Sequence, residues 1–130
     1  MSGKTDRFIV RPQLIGRIAY HDMSRARQEM GPSYNYMDRS LVPEADIVVH
    51  LTEVRQVPSD FKPYVEPHQH EVSSFYGIVG ELTVEVTLDG ERHEVTGPAS
   101  VFIPPGVMHS IRPLRGKGQM IIVLRRGNYQ

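Results

Sequence analysis

Residues 81–88 alternate strictly. Leu82, Val84, Val86 and Leu88 share one parity, and Glu81, Thr83, Glu85 and Thr87 share the other. A period of two is the mark of a strand with one buried and one wetted face, and no helix can satisfy it. Asp89-Gly90 follows at once, a dipeptide suited to the left-handed turn of a two-residue hairpin, and residues 91–96 read as the returning strand. This unit commits the middle of the chain to antiparallel β structure, and the remaining pattern agrees with it. Residues 47–54 are rich in β-branched side chains. Residues 75–80, 101–103, 107–112 and 120–124 are further short apolar runs between turn signals. Many short strands with little helix predict an all-β sandwich or barrel.

The first 45 residues are less regular and are read as an N-terminal arm ahead of a barrel over residues 46–130. Residues 8–10 and 14–19 read as short strands. Asp22 or Ser24 suits the cap of a short helix that ends at Gly31-Pro32, with Met23, Ala26, Arg27 and Met30 on one face. Residues 32–43 read as a loop anchored by Tyr34, Tyr36 and Met37. Residues 57–67 read as a proline-punctuated connection.

A length of 130 residues suits one core, and 39% hydrophobic with 23% charged residues fits a folded chain rather than a disordered one. No apolar run approaches the ~20 residues that span a bilayer. Residues 1–7 have no apolar stretch behind them, so no secretory leader is expected and a cytoplasmic location is the default. The chain has no cysteine, which excludes disulfides, thiolate ligands and cysteine nucleophiles. Fifteen basic and fifteen acidic residues cancel, but residues 41–94 are mostly acidic and residues 95–130 carry only basic charges. Folding is expected to interleave these blocks into a mixed surface, without the basic stripe of a nucleic-acid binder. Phosphate-binding glycine loops and a nucleophile elbow are also missing.

Chemistry concentrates in three histidines. His68 and His70 flank Gln69 and so share a face in extended chain. His109 ends Pro104-Pro105-Gly106-Val107-Met108-His109. A third imidazole from a neighbouring strand would complete one face of a metal site, and neutral imidazole ligates zinc, iron, nickel and copper readily.

The order of these pieces resembles the cupin family. Its first motif pairs His-x-His with an acidic residue and a glycine, matched here by His68-Gln69-His70 through Gly80. Its second motif is a glycine, a short β run, Pro-x-Gly, two residues and His. Gly97, residues 100–103 and residues 104–109 match it. The match covers residues 68–109, and the flanking strands suit the same fold. The resemblance implies a jelly-roll barrel with one divalent metal ion (Fe, Zn, Ni, Mn or Cu) on His68, His70 and His109. It also implies that the arm adds a strand to a partner subunit, giving a homodimer.

Three positions depart from the family pattern. The family's first glycine falls at Lys62, and its asparagine after the second-motif histidine falls at Pro113. Its acidic ligand falls at Ser74, or at Ser73 if counted back from Gly80. Glu71 directly follows His70, so alternation turns it to the opposite face unless a bulge intervenes. Three neutral imidazoles leave the metal's charge uncompensated, which favours an anionic or oxygen-chelating small molecule.

Several residues are candidates around that centre. Tyr76 shares the parity of His68, His70 and Ser74, and either donates a proton or hydrogen bond there or packs the barrel. His50 either joins the pocket or lies outside it, and Glu53 has the other parity on the same strand. Ser74, Phe102, Met108 and Arg112 are candidate substrate-pocket residues, with Tyr64 as a wall and Arg112 as a partner for an anion. His21 and His93 read as surface residues. The expected activity is a metal-dependent enzyme on a small anionic or chelating molecule. Dioxygenase-like chemistry comes first, and isomerase, cyclase or lyase chemistry follows closely. The alternative is a non-catalytic binding or sensing module. A structural or storage role has little to support it.

Overall fold

The computed structural model of the protein describes residues 3–15, 30–57 and 68–127. The strands, in chain order, are β1 (Gln13–Leu14), β2 (Ser33–Met37), β3 (Val48–Val54) and β4 (Ser74–Val79). They continue as β5 (Leu82–Leu88), β6 (Glu91–Thr96), β7 (Ala99–Ile103), β8 (His109–Gly116) and β9 (Gly118–Leu124). They form a six-stranded sheet in the order β1-β2-β3-β9-β4-β7 and a three-stranded sheet in the order β6-β5-β8. Every pairing is antiparallel.

The alternation read at residues 81–88 becomes β5, whose Leu82, Val84 and Val86 are buried. Asp89 and Gly90 take φ of 48° and 84°, the left-handed pair that a tight hairpin needs, and β6 returns in register from Glu91 opposite Leu88. The inner faces of the two sheets meet in one core. Leu82, Val84, Val86 and Ile111 come from the smaller sheet, and Val48, Ile78, Ile103, Met120, Ile122 and Leu124 from the larger. At one end of this core the sheets cross over tightly: a Cβ at Gly118 would overlap the carbonyl oxygen of Val79, and one at Gly116 that of Glu81. The histidines occupy the other end, where β5 finishes and β8 begins.

The arm differs from expectation in two places. Residues 32–43 contain strand β2, which pairs with β3 inside the same sheet. Its inward residues are polar, so hydrophobic alternation does not reveal it. Buried Ser33 pairs its hydroxyl with that of Thr52 at 2.8 Å, which makes a polar inner row tolerable. Residues 8–10 are not a strand. A 3-10 turn at Asp6–Phe8 takes in the first of them; the Asp6 carboxylate accepts from Gly3 N–H and the Asp6 carbonyl from Ile9 N–H. Phe8 N–H, which donates to the Thr5 carbonyl, and Ile9 N–H are thereby satisfied without a sheet partner. The expected helix between residues 22 and 31 lies outside the described residues apart from Met30 and Gly31, as do residues 16–19, His21, Lys62 and Tyr64. Among the described residues, no helix is long and apolar enough to cross a membrane.

The two charge blocks do meet in the folded chain. On the outer face of the smaller sheet Arg112 bonds Glu85 at 3.1 Å and Arg115 bonds Glu94 at 2.9 Å.

Candidate metal centre

His68 and His109 face each other in an isolated antiparallel bridge. His68 N–H donates to the His109 carbonyl at 3.0 Å, and His109 N–H to the His68 carbonyl at 2.8 Å. The turn of residues 104–107 then brings Gly106, at φ 83°, to donate its N–H to the His70 carbonyl at 2.8 Å. Pro104 and Pro105 carry no N–H that would compete for that acceptor. At the other side, Met108 N–H bonds the Asp89 carboxylate at 2.8 Å, and Asp89 N–H bonds the Met108 carbonyl at 2.7 Å. The β5–β6 hairpin turn thus pins the start of β8. Backbone bonds on three sides hold two short segments in register.

The side chains follow from that register. His68, His70 and His109 are all buried, and each offers a ring nitrogen within 4.8 Å of the others. The ring centroids lie 4.9 Å (His68–His70), 4.5 Å (His68–His109) and 5.2 Å (His70–His109) apart. His109 Nδ1 lies 2.9 Å from the Val107 carbonyl. A carbonyl only accepts, so Nδ1 carries the proton and the Nε2 lone pair is left for a ligand. Burial lowers the His109 pKa below its ordinary value. The Val107 bond works against that shift, and neighbouring His68 adds to it. The imidazole is therefore neutral at pH 7, the form that ligates.

Tyr76 lies on the inward face of β4, 3% exposed, with its ring edge-on to His109 at 5.9 Å. Ser74 is one pleat earlier on the same face, 3% exposed, and its Oγ has no hydrogen-bond partner. Three imidazoles in a buried cluster, with an unsatisfied hydroxyl on the face that carries Tyr76, are a donor set that fits a divalent cation.

His50 is one of the inward residues of β3, and Glu53 turns outward, where Arg55 donates to it at 3.0 Å. Register puts His50 opposite Ile122, and Ile122 opposite Tyr76. Two strand spacings, roughly 9.5 Å, therefore separate His50 from Tyr76. Burial drives the His50 pKa down to about 4, although the charge on Asp38 pulls the other way. Asp38 would be raised by its own burial, but hydrogen bonds from Ser40 and Asn35 outweigh this and hold it low.

Three expected pocket residues are corrected. Phe102 pairs with Phe75 on the outer face of the larger sheet and is 64% exposed, because inward Ile103 fixes the parity. Met108 is 41% exposed, being adjacent to inward His109. Arg112 alternates with inward Ile111 and Pro113 and spends its charge on Glu85. Glu71 is exposed, as its parity demands, and His93 sits at the surface 3.4 Å from Glu91. One groove of about 380 Å³ lies away from the histidines, on the outer face between Phe75, Gly77, Ser100 and Ile121. The Val107 carbonyl, the Gly106 N–H and Asp89 were not anticipated from sequence. The first two are backbone groups that no residue type announces.

No family model and no curated protein matches the chain. Solved structures do. Oxalate decarboxylase of Bacillus subtilis, a protein with Mn(II) centres, aligns at TM-score 0.58 and 16% identity over 78% of this chain. The aligned part is 27% of the oxalate decarboxylase chain, so this protein spans about a quarter of it. KdgF from Halomonas sp. aligns at TM-score 0.54 and 18% identity, over 73% of this chain and 78% of its own. The SPY1581 protein of Streptococcus pyogenes aligns at TM-score 0.53 and 18% identity, over 75% of each chain. At such identities the likeness is one of fold. The described chain is an all-β domain of the cupin fold.

Proposed function

We propose that the chain is a metal-dependent cupin enzyme in which His68, His70 and His109 hold one divalent ion, and that it acts on a small anionic or oxygen-chelating molecule. The observation that carries this reading is the buried three-imidazole cluster, with its nitrogens within 4.8 Å and its His109 tautomer set by the Val107 carbonyl. A divalent ion bound there supplies Lewis-acid polarisation of a ligand oxygen or, if redox-active, electron transfer. The chain's own groups orient that chemistry. Buried Tyr76 is the candidate proton donor beside His109, and it packs within the apolar core. His50, neutral at pH 7 and two strands away, is set aside as an acid or base for the reaction.

The fold likeness to oxalate decarboxylase, with its Mn(II) centres, supports a redox-capable metal and a small carboxylate substrate. It moves lyase-type chemistry ahead of the dioxygenase-like reaction expected first. A homodimer in which the N-terminal arm adds a strand to a partner subunit belongs to the same reading, supported by β1 standing at an edge of the larger sheet. Light scattering at the monomer mass would refute that part.

Elemental analysis of the purified protein tests the centre: one first-row ion per chain is expected, and His68→Ala or His109→Ala should lose it. Stoichiometric metal that survives both substitutions would refute the assignment. Oxygen uptake during turnover would restore the dioxygenase reading. A co-purifying ligand that is never altered would make the chain a binding module.

A further inference from the structure

Among the described residues, no Asp, Glu, Lys or Arg is buried. A dication on three neutral imidazoles therefore keeps its full charge at a buried site, where an uncompensated charge is costly. Among the described residues no buried carboxylate neutralises it, and no buried cation holds an anion in its place. On the described residues, the compensating negative charge is left to the ligand.

The buried hydroxyls say where that ligand is met. Ser33 pairs with Thr52 at 2.8 Å, and Thr83 pairs with Thr96 at 2.8 Å. The Ser74 hydroxyl, equally buried, has no partner. An unsatisfied buried hydroxyl costs free energy in the folded protein and signals a missing partner. Ser74 stands on the inward face of β4, next on that face to Tyr76, whose ring meets His109. Building on the metal centre proposed above, we propose that Ser74 is the hydrogen-bond donor to a carboxylate oxygen of the bound ligand. Metal charge and the Ser74 hydroxyl together make the site selective for small carboxylates over neutral molecules of the same shape.

The test uses the full chain loaded with Co(II), whose visible bands report ligation, titrated with acetate and with acetamide. The wild type should bind acetate at least tenfold more tightly than acetamide. Ser74→Ala should weaken acetate about tenfold, the value of one hydrogen bond to a charged acceptor, and leave Co(II) affinity within about threefold. Ser74→Thr, which keeps the hydroxyl, should recover most of the loss. Metal-free Ser74→Ala should melt no lower than metal-free wild type, since it deletes an unsatisfied group. Unchanged acetate binding in Ser74→Ala, equal binding of acetate and acetamide, or a lowered melting temperature of the metal-free variant would each overturn the role of Ser74 while the metal centre stands. Wild-type protein that takes up no Co(II) would instead bring down the metal centre, and this proposal with it.

Discussion

Acidification should destabilise this fold through His50, and the size of the effect can be worked out. The imidazole is 4% exposed on the inner face of β3, and burial takes its pKa from 6.5 to about 4. In the unfolded chain it protonates near 6.5, and in the folded chain only near 4. Between those values the unfolded state binds one more proton, so stability rises with pH in that window and is level above it. Falling from pH 7 to pH 4, the fold should lose about 3 kcal/mol through this residue, at up to ~1.4 kcal/mol per pH unit. Asp38 acts in a different window: its lowered pKa contributes stability above the unfolded carboxyl value, lost only as pH falls through its folded value. Urea unfolding of metal-free wild type and His50→Gln, at half-unit steps from pH 7.5 to 4, isolates the term. The absolute stability of the variant is immaterial. What counts is its slope, which should be shallower than that of the wild type by most of one proton between pH 6.5 and 4. Equal slopes would mean that His50 is solvated or paired in its charged form, and the account of β3 burial would be wrong.

Two further outcomes separate the framework from the site. Gly118→Ala forces a Cβ against the Val79 carbonyl and should cost about 3 kcal/mol in urea unfolding. Gly90→Ala meets open space at φ 84° and should cost only about 1 kcal/mol, so similar losses would contradict the tight crossover at Gly118. Arg112→Ala breaks a half-exposed pair with Glu85 and should cost about 0.5 kcal/mol. It should leave Co(II) and acetate affinities unchanged, and a large loss of acetate binding would return Arg112 to the pocket.

What could be read in the sequence was whatever alternates or turns in a recognisable way. The β5–β6 hairpin was visible because its buried parity is aliphatic and its turn is Asp-Gly. Strand β2 was hidden because its inward residues, Ser33 and Asn35, are polar and depend on β3 to satisfy or cover them. That partnership is long-range and leaves no local trace. Phe102, Met108 and Arg112 were misplaced for a different reason. Their residue types suit a pocket, but one-residue counts from Ile103, His109 and Ile111 turn all three outward. The same counting placed Ser74 and Tyr76 on one buried face and Glu71 outside. Choosing His50 over Glu53 as the inward residue of β3 required the pairing with β9.

The centre itself shows why residue identity was enough to find it but not to explain it. Three imidazoles can be named from spacing, yet each is positioned by groups that every residue possesses. The His68 and His109 backbones hold each other, Gly106 N–H holds the His70 carbonyl, and the Val107 carbonyl sets the His109 tautomer. The Pro-Pro-Gly turn suits this because it withholds two donors and bends where the third must reach back. The charge of the site follows from what those strands do not bury. Every acidic and basic side chain of the described residues is left at the surface or only half-buried, so none of them is buried to offset a dication. With the proposed metal in place, electrostatics bounds the ligand before any contact is specified: it is expected to bring the negative charge that the described residues do not supply.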